Sequence, residues 1–175
     1  MYILETEDLI LKSGSVDDWK DLYHNLWSRP EVFRYLFSRP SDSEETAEKK
    51  TAAYAQMHRE VLTEFFVYEK TTNRAIGIAG LKEMQPGIFT VTDIAIGPHF
   101  SGRGYGKQIL KALTKLAFEQ CGASGLHYDC FVENTASRRL AESCGFVYTH
   151  SQPAELQKNG VMVMLAYYRY QERER

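Results

Sequence analysis

The feature that most constrains the fold is an abrupt change of pattern in the middle of the chain. A segment rich in β-branched residues, from Phe89 to Ile96, leads into a short loop with glycine at alternate positions. From Gly106 onward, apolar residues recur at intervals of three and four, the spacing of an amphipathic helix. Because β-branched residues favour strands, the sequence predicts a strand, a glycine loop and a helix in direct succession.

The loop itself predicts an anion site of the kind that holds a pyrophosphate. Glycine lets the backbone turn its N–H groups toward one point, and the helix start adds unpaired amides and the positive end of its dipole. Charge-assisted hydrogen bonds from Arg103 and Lys107 add about 1.5–3 kcal/mol each where solvent does not screen them. The predicted loop residues are Gly102, Arg103, Gly104, Tyr105, Gly106 and Lys107.

Two familiar phosphate-binding patterns do not fit this loop. A P-loop needs glycine where Ser101 stands and Ser or Thr where Gln108 stands. The dinucleotide fingerprint needs its third glycine at the position of Lys107, in an early strand–helix–strand unit. An ordinary strand-to-helix turn is the remaining alternative to an anion site.

The rest of the chain alternates in the order β-α-α-β-β-β-α-β-α-β-β. Ser41, with Glu44 three positions later, has the form of a capping box and predicts the start of a long polar helix to about Leu62. The predicted fold class is α/β (α+β): a mixed, mostly antiparallel sheet of six to seven strands flanked by about four helices, in one domain over residues 1–175. Strands are predicted at 9–12, 65–68, 75–81, 89–96, 126–132, 146–148 and 161–170, and residues 171–175 as a solvated tail.

Composition excludes several classes of function. A net charge of −2 over 175 residues gives no electrostatic basis for nucleic-acid binding. The longest apolar run, residues 75–81, is far shorter than the roughly 20 residues of a membrane helix. Cys121, Cys130 and Cys144 form no CxxC pair, and the histidines form no HExxH motif. We therefore expect a cytoplasmic protein with no metal site and no nucleic-acid or membrane partner.

Two motifs in the right order resemble those of a known family. Ile94, Ala95, Ile96 and Pro98, followed by the glycine loop, resemble the acetyl-CoA motif of the GNAT superfamily of N-acetyltransferases. Residues 134–146, which begin with Asn134 and end with Gly145-Phe146, are similar to the family's second signature. Residues 27–36 are similar to a segment of the branch that contains the ribosomal-protein N-terminal acetyltransferases.

The resemblance implies a GNAT-like fold and an acetyl-CoA-dependent N-acetyltransferase. In that family the acceptor is a primary amine of a small molecule or a protein N-terminus, which attacks the thioester directly in a ternary complex. The strand before the loop pairs with the pantetheine arm, and Ser137 is a candidate acid for the leaving thiolate. The implied acetyl-CoA contacts are Ile94, Ala95, Ile96, the loop from Gly102 to Lys107, Asn134, Ser137 and Arg138; the implied acceptor pocket contains Trp27, Phe33, Tyr35, Phe37 and Tyr54.

The chain also departs from the family pattern. Ser101 replaces the usual Gln or Arg, Ala141 stands where many members have a catalytic Tyr, and Thr90 stands where some have a basic glutamate. An amine with a pKa near 10.4 must still lose a proton before it attacks. Asp93 is the candidate catalytic base, with Glu83 and His127 as alternatives.

Each of these residues has an ordinary structural alternative. Asn134 is a favoured helix N-cap, Ser137 in a first helical turn often bonds the backbone, and Asp93 on a strand often pairs with a basic neighbour. Trp27 and Phe33 are equally typical of a hydrophobic core. The missing catalytic side chains leave a non-catalytic CoA-binding regulatory module as the alternative function. The acceptor's identity is not readable, and a homodimer is a family-based expectation.

Overall fold

A single mixed sheet organises the protein, in a computed structural model that describes residues 2–156 and 159–171. The predicted tail at 172–175 lies outside the described residues. Within the described part, eight strands are ordered β1-β2-β3-β4-β5-β6-β8-β7. Their bounds are β1 (Leu4–Glu5), β2 (Leu9–Lys12), β3 (Glu64–Glu69), β4 (Arg74–Gln85), β5 (Ile88–Ile96), β6 (Gly125–Phe131), β7 (Phe146–Leu156) and β8 (Val161–Tyr170).

One junction in this sheet differs from all the others. Neighbouring strands are antiparallel except β5 and β6, which are parallel and joined by a helical crossover. Their pairing is confined to residues 88–90 of β5 and 125–127 of β6. Beyond Thr90 the two strands separate, so the sheet opens into a cleft.

Helices cover both faces of the sheet. The first core lies between the sheet and the later helices and includes Ile109, Leu113 and Leu116 of the amphipathic segment. A second core, on the opposite face, includes Trp27 and Phe33. The helices are α1 (Trp19–Leu22, continued by a wider turn over Tyr23–Trp27), α2 (Pro30–Phe33), α3 (Glu44–Glu60), α4 (Tyr105–Glu119) and α5 (Thr135–Ser143).

The predicted fold class is confirmed, with corrections of detail. In the part of the chain that the structure describes, the sheet has eight strands instead of six to seven, because the very short β1 pairs with β2. Five α-helices flank the sheet over the same residues, since the first helical region divides at Pro30. The predicted strand at 146–148 extends to Leu156, because β7 and β8 form one long antiparallel hairpin.

The predicted cap of α3 was wrong by two residues. Ser43, not Ser41, is the N-cap: its hydroxyl accepts from Thr46 N at 3.2 Å, and Ser43 N donates to Thr46 Oγ1 at 3.1 Å. Ser41 is buried and its amide donates to Trp27 O at 2.7 Å. That bond ties Ser41 to the end of the first helical region, so it is not available to start α3.

No helix in residues 2–156 and 159–171 has both the length and the apolar character needed to cross a membrane.

Candidate active site

The separation of β5 from β6 creates a cavity of about 420 Å³. Ile94, Ala95 and Ile96 line it along the open edge of β5, and Asn134 and Ser137 line it from the start of α5. On its other edge the same part of β5 pairs with β4. Because no described strand pairs with β5 beyond Thr90 on the cleft side, main-chain groups there face the cavity and can bind an extended ligand.

The glycine loop lies at one end of this open edge, next to Ser101, which lines the cavity. Gly102 and Gly104 both have a φ of 78°, in the left-handed region that favours glycine, and a Cβ on either would meet nothing within 4 Å. Within the described residues, the amides of Gly102, Gly104 and Gly106 make no main-chain hydrogen bond to another residue. The loop therefore presents free N–H groups beside open space at the start of α4, as an anion site requires.

The charged side chains of the loop have other partners. Arg103 Nη1 lies 3.0 Å from Glu69 Oε1, and Tyr105 donates its hydroxyl to the same oxygen at 2.9 Å. Burial raises the pKa of Glu69, but these hydrogen bonds and the charge of Arg103 outweigh it and lower that pKa overall. Arg103 and Tyr105 therefore fasten the loop to β3. The Lys107 amide is also engaged, donating to Gly104 O at 3.1 Å, whereas its side chain is exposed.

The second motif places a serine and a tyrosine side by side. Asn134 caps α5, its Oδ1 accepting from Ser137 N at 3.1 Å. The Ser137 hydroxyl lies 2.7 Å from that of Tyr128, a β6 residue that sequence reasoning missed. Burial raises the pKa of Tyr128, so its hydroxyl keeps its proton. Arg138, by contrast, donates to Tyr168 OH at 3.0 Å and does not line the cavity.

A β-bulge fixes the direction of Asp93. Ala79 pairs with Ile94 and Leu81 with Val91, so Gly80 alone opposes both Thr92 and Asp93. Val91 and Ile94 both contact the core under α4. The two residues between them therefore project together to the opposite face, beneath α1–α3.

Asp93 lies there in an environment that favours its protonated form. Burial, opposed by the charge of Lys50 and assisted by that of Asp129, raises the pKa of Asp93 to about 6. Asp129 lines the cavity from β6, and burial raises its pKa too. Burial lowers the pKa of Lys50 to about 8, although Asp93 opposes this shift. Asp129 interrupts an apolar strand in the sequence, a signal that could have identified it, because aspartate is rare in strands.

The other proposed bases lie elsewhere. Glu83 accepts a hydrogen bond from Gly87 N at 2.8 Å in the exposed turn after β4. His127 pairs with Thr90 at the closed end of the cleft. Neither Glu83 nor His127 lines the cavity. Of the three candidate bases, only Asp93 does.

The predicted acceptor aromatics divide into two groups. Tyr35 and Phe37 line the cavity, and each packs against Phe131, with ring centroids 5.7 and 5.8 Å apart. Trp27 and Phe33 are buried in the second core, and Tyr54 packs against it. Trp27 and Phe33 therefore occupy the hydrophobic core that was their structural alternative, and Tyr54 also lies outside the cavity lining.

No group of three or more His, Cys, Asp or Glu side chains in the described part of the chain is arranged to hold a metal ion. Cys130 lines the cavity, and burial raises the pKa of its thiol.

The open parallel junction, the glycine loop and the capped start of α5 meet around one cleft. The model of the acetyltransferase (GNAT) domain family matches residues 8–147. The chain therefore belongs to the GNAT family, whose members use acetyl-CoA to acetylate amine acceptors. The predicted family is confirmed.

Solved structures share this fold at low sequence identity. A GNAT acetyltransferase from Bacillus anthracis has a TM-score of 0.85 at 18% identity, covering 99% of this chain and 100% of that one. A GCN5-related N-acetyltransferase from Brucella melitensis has a TM-score of 0.81 at 20% identity, covering 96% of this chain and 77% of that one. RimL, a ribosomal L7/L12 alpha-N-protein acetyltransferase in complex with coenzyme A, has a TM-score of 0.76 at 18% identity. The match covers 96% of this chain and 97% of that one. No curated protein sequence matches significantly.

Proposed function

We propose that this protein transfers the acetyl group of acetyl-CoA directly to a primary amine, on a small molecule or a protein N-terminus, within a ternary complex. One observation carries the proposal: the open edge of β5 lies between a glycine loop with free amides and the half-buried carboxyl group of Asp93. RimL acts on a protein N-terminus, which supports that class of acceptor. The proposal also includes a cytoplasmic location and a single-domain organisation, which both rest on the sequence.

The main chain along the cleft is suited to the carrier. The pyrophosphate would bind the amides of residues 102–106, where Gly102 and Gly104 leave open space. The pantetheine arm would lie along the free edge of Ile94 to Ile96. Asn134 and Ser137 would meet the arm near its thiol end. Acetyl-CoA supplies the activated acetyl group as a thioester.

The residues of the cavity account for the proton transfers. The Asp93 carboxylate takes one proton from the ammonium acceptor, and the neutral amine attacks the carbonyl carbon. As the C–N bond forms, the C–S bond breaks, and Ser137, hydrogen-bonded to Tyr128, gives the sulfur a proton. The ammonium loses two protons in all: one replaces the proton given to sulfur, and the other leaves through Asp93 to solvent.

The acceptor side of the cavity favours a cation. Asp93 and Asp129 approach it from the two separated strands, and Tyr35 and Phe37 form apolar walls. An ammonium group next to these carboxylates would stabilise their ionised form. The substrate class best supported is therefore an amine that arrives protonated.

Two measurements test the proposal. Thermal unfolding with acetyl-CoA, with acetyl-pantetheine, which lacks the pyrophosphate, and with adenine alone should show stabilisation only with the intact carrier, by about 2.7 kcal/mol at 100 times the Kd. Thiol release should then rise above background with at least one of a panel of simple amines, polyamines and N-terminal peptides. No stabilisation by acetyl-CoA would refute the proposal, whereas binding without thiol release would favour a non-catalytic CoA-binding module.

A further inference from the structure

A buried carboxylate lies beneath the glycine loop. Glu69, the last residue of β3, is 4% exposed. Its Oε1 accepts hydrogen bonds from the Tyr105 hydroxyl at 2.9 Å and from Arg103 Nη1 at 3.0 Å, and its Oε2 accepts from Thr72 Oγ1 at 3.0 Å. A buried carboxylate is costly unless such donors satisfy it. These contacts join the sheet, the turn after β3 and the glycine loop at one point.

The first turn of α4 has a separate polar contact with the sheet. Gln108 Oε1 accepts from Thr6 Oγ1 at 2.6 Å and from Asp8 N at 3.1 Å, and Gln108 Nε2 donates to Asp8 Oδ2 at 2.6 Å. Thr6 and Asp8 lie in the turn between β1 and β2. The helix therefore keeps a tie to the sheet even where the Glu69 contact is removed, so the effect of that removal should be confined to the loop.

The glycines of the loop make its contact with Glu69 important. A Cβ on Gly102 or Gly104 would meet nothing within 4 Å, so neither residue is packed on that side. Glycine loses more conformational freedom on ordering than any other residue, and a loop that orders only on binding loses affinity. Tyr105 directly follows Gly104. Its ring is 8% exposed in the first core and its hydroxyl is held by Glu69, so the end of the loop has a fixed position.

We propose that Glu69 is a positioning residue for acetyl-CoA: through Tyr105 it holds the loop amides in the arrangement that binds the pyrophosphate. The inference rests on the proposed function, which assigns the pyrophosphate to those amides. Neither Glu69 nor Tyr105 lines the cavity, so Glu69 acts through the loop and not by contact with the acetyl group or the amine. Its effect should therefore appear in the affinity for acetyl-CoA and not in the transfer step.

A single hydroxyl tests this role. Tyr105→Phe removes the donor to Glu69 and keeps the buried ring, and it should weaken acetyl-CoA binding about tenfold in calorimetry, because the loop must then order on binding. Tyr68→Phe is the matched control. Tyr68, next to Glu69 on β3, is 4% exposed in the second core and donates its hydroxyl to Asp18 Oδ2 at 2.6 Å. Both variants lose a hydrogen bond from a buried tyrosine to a carboxylate, but Tyr68→Phe should keep the affinity. An unchanged Kd in Tyr105→Phe would overturn the inference.

A double-mutant cycle tests whether Glu69 acts through Tyr105. Glu69→Gln keeps an oxygen for the tyrosine but loses the charge that strengthens the bond, so it should weaken acetyl-CoA binding about fivefold. The double variant should bind about as weakly as Tyr105→Phe alone, because both changes remove the same contact. Losses that multiply would overturn the coupling on which the role depends.

Kinetics with an acceptor found by the thiol-release panel distinguish positioning from a part in the chemistry. The KM for acetyl-CoA should rise in Tyr105→Phe, whereas kcat at saturating acetyl-CoA should stay level. A fall in kcat at unchanged Kd would overturn the inference.

The failure of this inference differs from the failure of the proposed function. If the unmodified protein does not bind acetyl-CoA, the proposed function is wrong, and the role of Glu69 falls with it. If the unmodified protein binds acetyl-CoA and releases thiol, and Tyr105→Phe binds it equally well, only the role of Glu69 is overturned.

Discussion

The two sides of the cleft contribute different chemical groups. On the proposed carrier side, the glycine loop offers main-chain amides, and Gly102 and Gly104 have open space around them. On the acceptor side, Asp93 offers an ionisable side chain held under α1–α3, and Gly80 has no room for a Cβ because Glu64 lies beside it. Glycine thus allows a left-handed backbone at Gly102 and Gly104, whereas at Gly80 it allows neighbouring side chains to pack against the backbone.

The difference predicts that binding and chemistry respond to different perturbations. Main-chain amides carry no titratable charge, so carrier affinity should depend on loop geometry and hardly on pH. Partial burial raises the pKa of the Asp93 carboxyl to about 6, so the proton-transfer step should depend on pH. Variants on each side should therefore separate Kd for acetyl-CoA from kcat.

The largest effect is expected on the acceptor side. Asp93→Asn removes the proton acceptor and should lower kcat by about 100-fold to 1,000-fold, within the range of general base catalysis. Steady-state thiol release and calorimetry with acetyl-CoA should show lost kcat at unchanged Kd. Glu83→Gln, at an exposed position near the end of β4, is the control and should retain full activity. A parallel loss of acetyl-CoA affinity in Asp93→Asn would break the distinction between the two sides.

On the carrier side, Gly104→Glu should weaken acetyl-CoA binding by about 100-fold, because it places an anion at the helix N-terminus where the pyrophosphate would bind. Gly122→Glu is the matched control. Gly122 also has a positive φ, 67°, and open space, but it follows the other end of α4. Both variants should lose about 1–2 kcal/mol of stability through the left-handed backbone. Calorimetry should show the loss of acetyl-CoA affinity in Gly104→Glu alone. Equal losses in the two variants would show that the loop is not part of the binding site.

At the junction of the two sides, Ser137→Ala should lower kcat by about 10- to 30-fold, because it removes the donor for the departing sulfur. Tyr128→Phe should have a smaller effect, since the serine hydroxyl remains. Ser143→Ala, an exposed serine on the same helix, controls for changes in α5. Unchanged turnover in Ser137→Ala would assign Ser137 to helix structure alone.

The pH dependence compares the two sides in the unmodified protein. The Asp93 carboxyl accepts a proton only when ionised, and partial burial raises its pKa to about 6. Activity is therefore present above this value and lost as pH falls through it. Between pH 8 and pH 5, kcat/KM should fall about tenfold. Acetyl-CoA affinity should stay level; if it fell in parallel, the carrier side would also contain a titrating group.

The smallest effect concerns Arg103, which the sequence assigns to the phosphate. Its side chain is 51% exposed and pairs with Glu69, so Arg103→Ala should weaken acetyl-CoA binding only about twofold, the scale of an exposed ion pair. Calorimetry at two salt concentrations checks this. A loss of tenfold or more would show that the guanidinium leaves Glu69 to contact the carrier.

The carrier side was predictable because its information is local. The change from β-branched residues to alternating glycines gave β5, the loop and α4, and Asn134 was placed correctly as a helix cap. The fold class followed from the same periodicities. The cap of α3 was wrong because the choice between Ser41 and Ser43 depends on a bond to Trp27 that no local pattern contains.

The acceptor side depends on contacts distant in sequence. Asp93 was identified, but its direction is set by a bulge opposite Gly80, and Glu64, from a strand more than twenty residues earlier, accepts a hydrogen bond from the neighbouring Thr92. Nothing next to Glu64 in the chain distinguishes it from any acidic residue before an apolar strand. Tyr128 was missed for the same reason, since its partner Ser137 lies in another element.

The three register pairs between β5 and β6 have a mechanical consequence. In the described residues they are the sole ladder between the first five strands and the last three. The proposed entrance for substrates thus lies beside this short ladder, so a change in the width of the cleft would also change how firmly the two parts of the sheet are joined. A ligand that contacts both β5 and β6 would hold the two parts of the sheet together. The protein should therefore be most rigid with ligand bound and most flexible just after the ligand leaves.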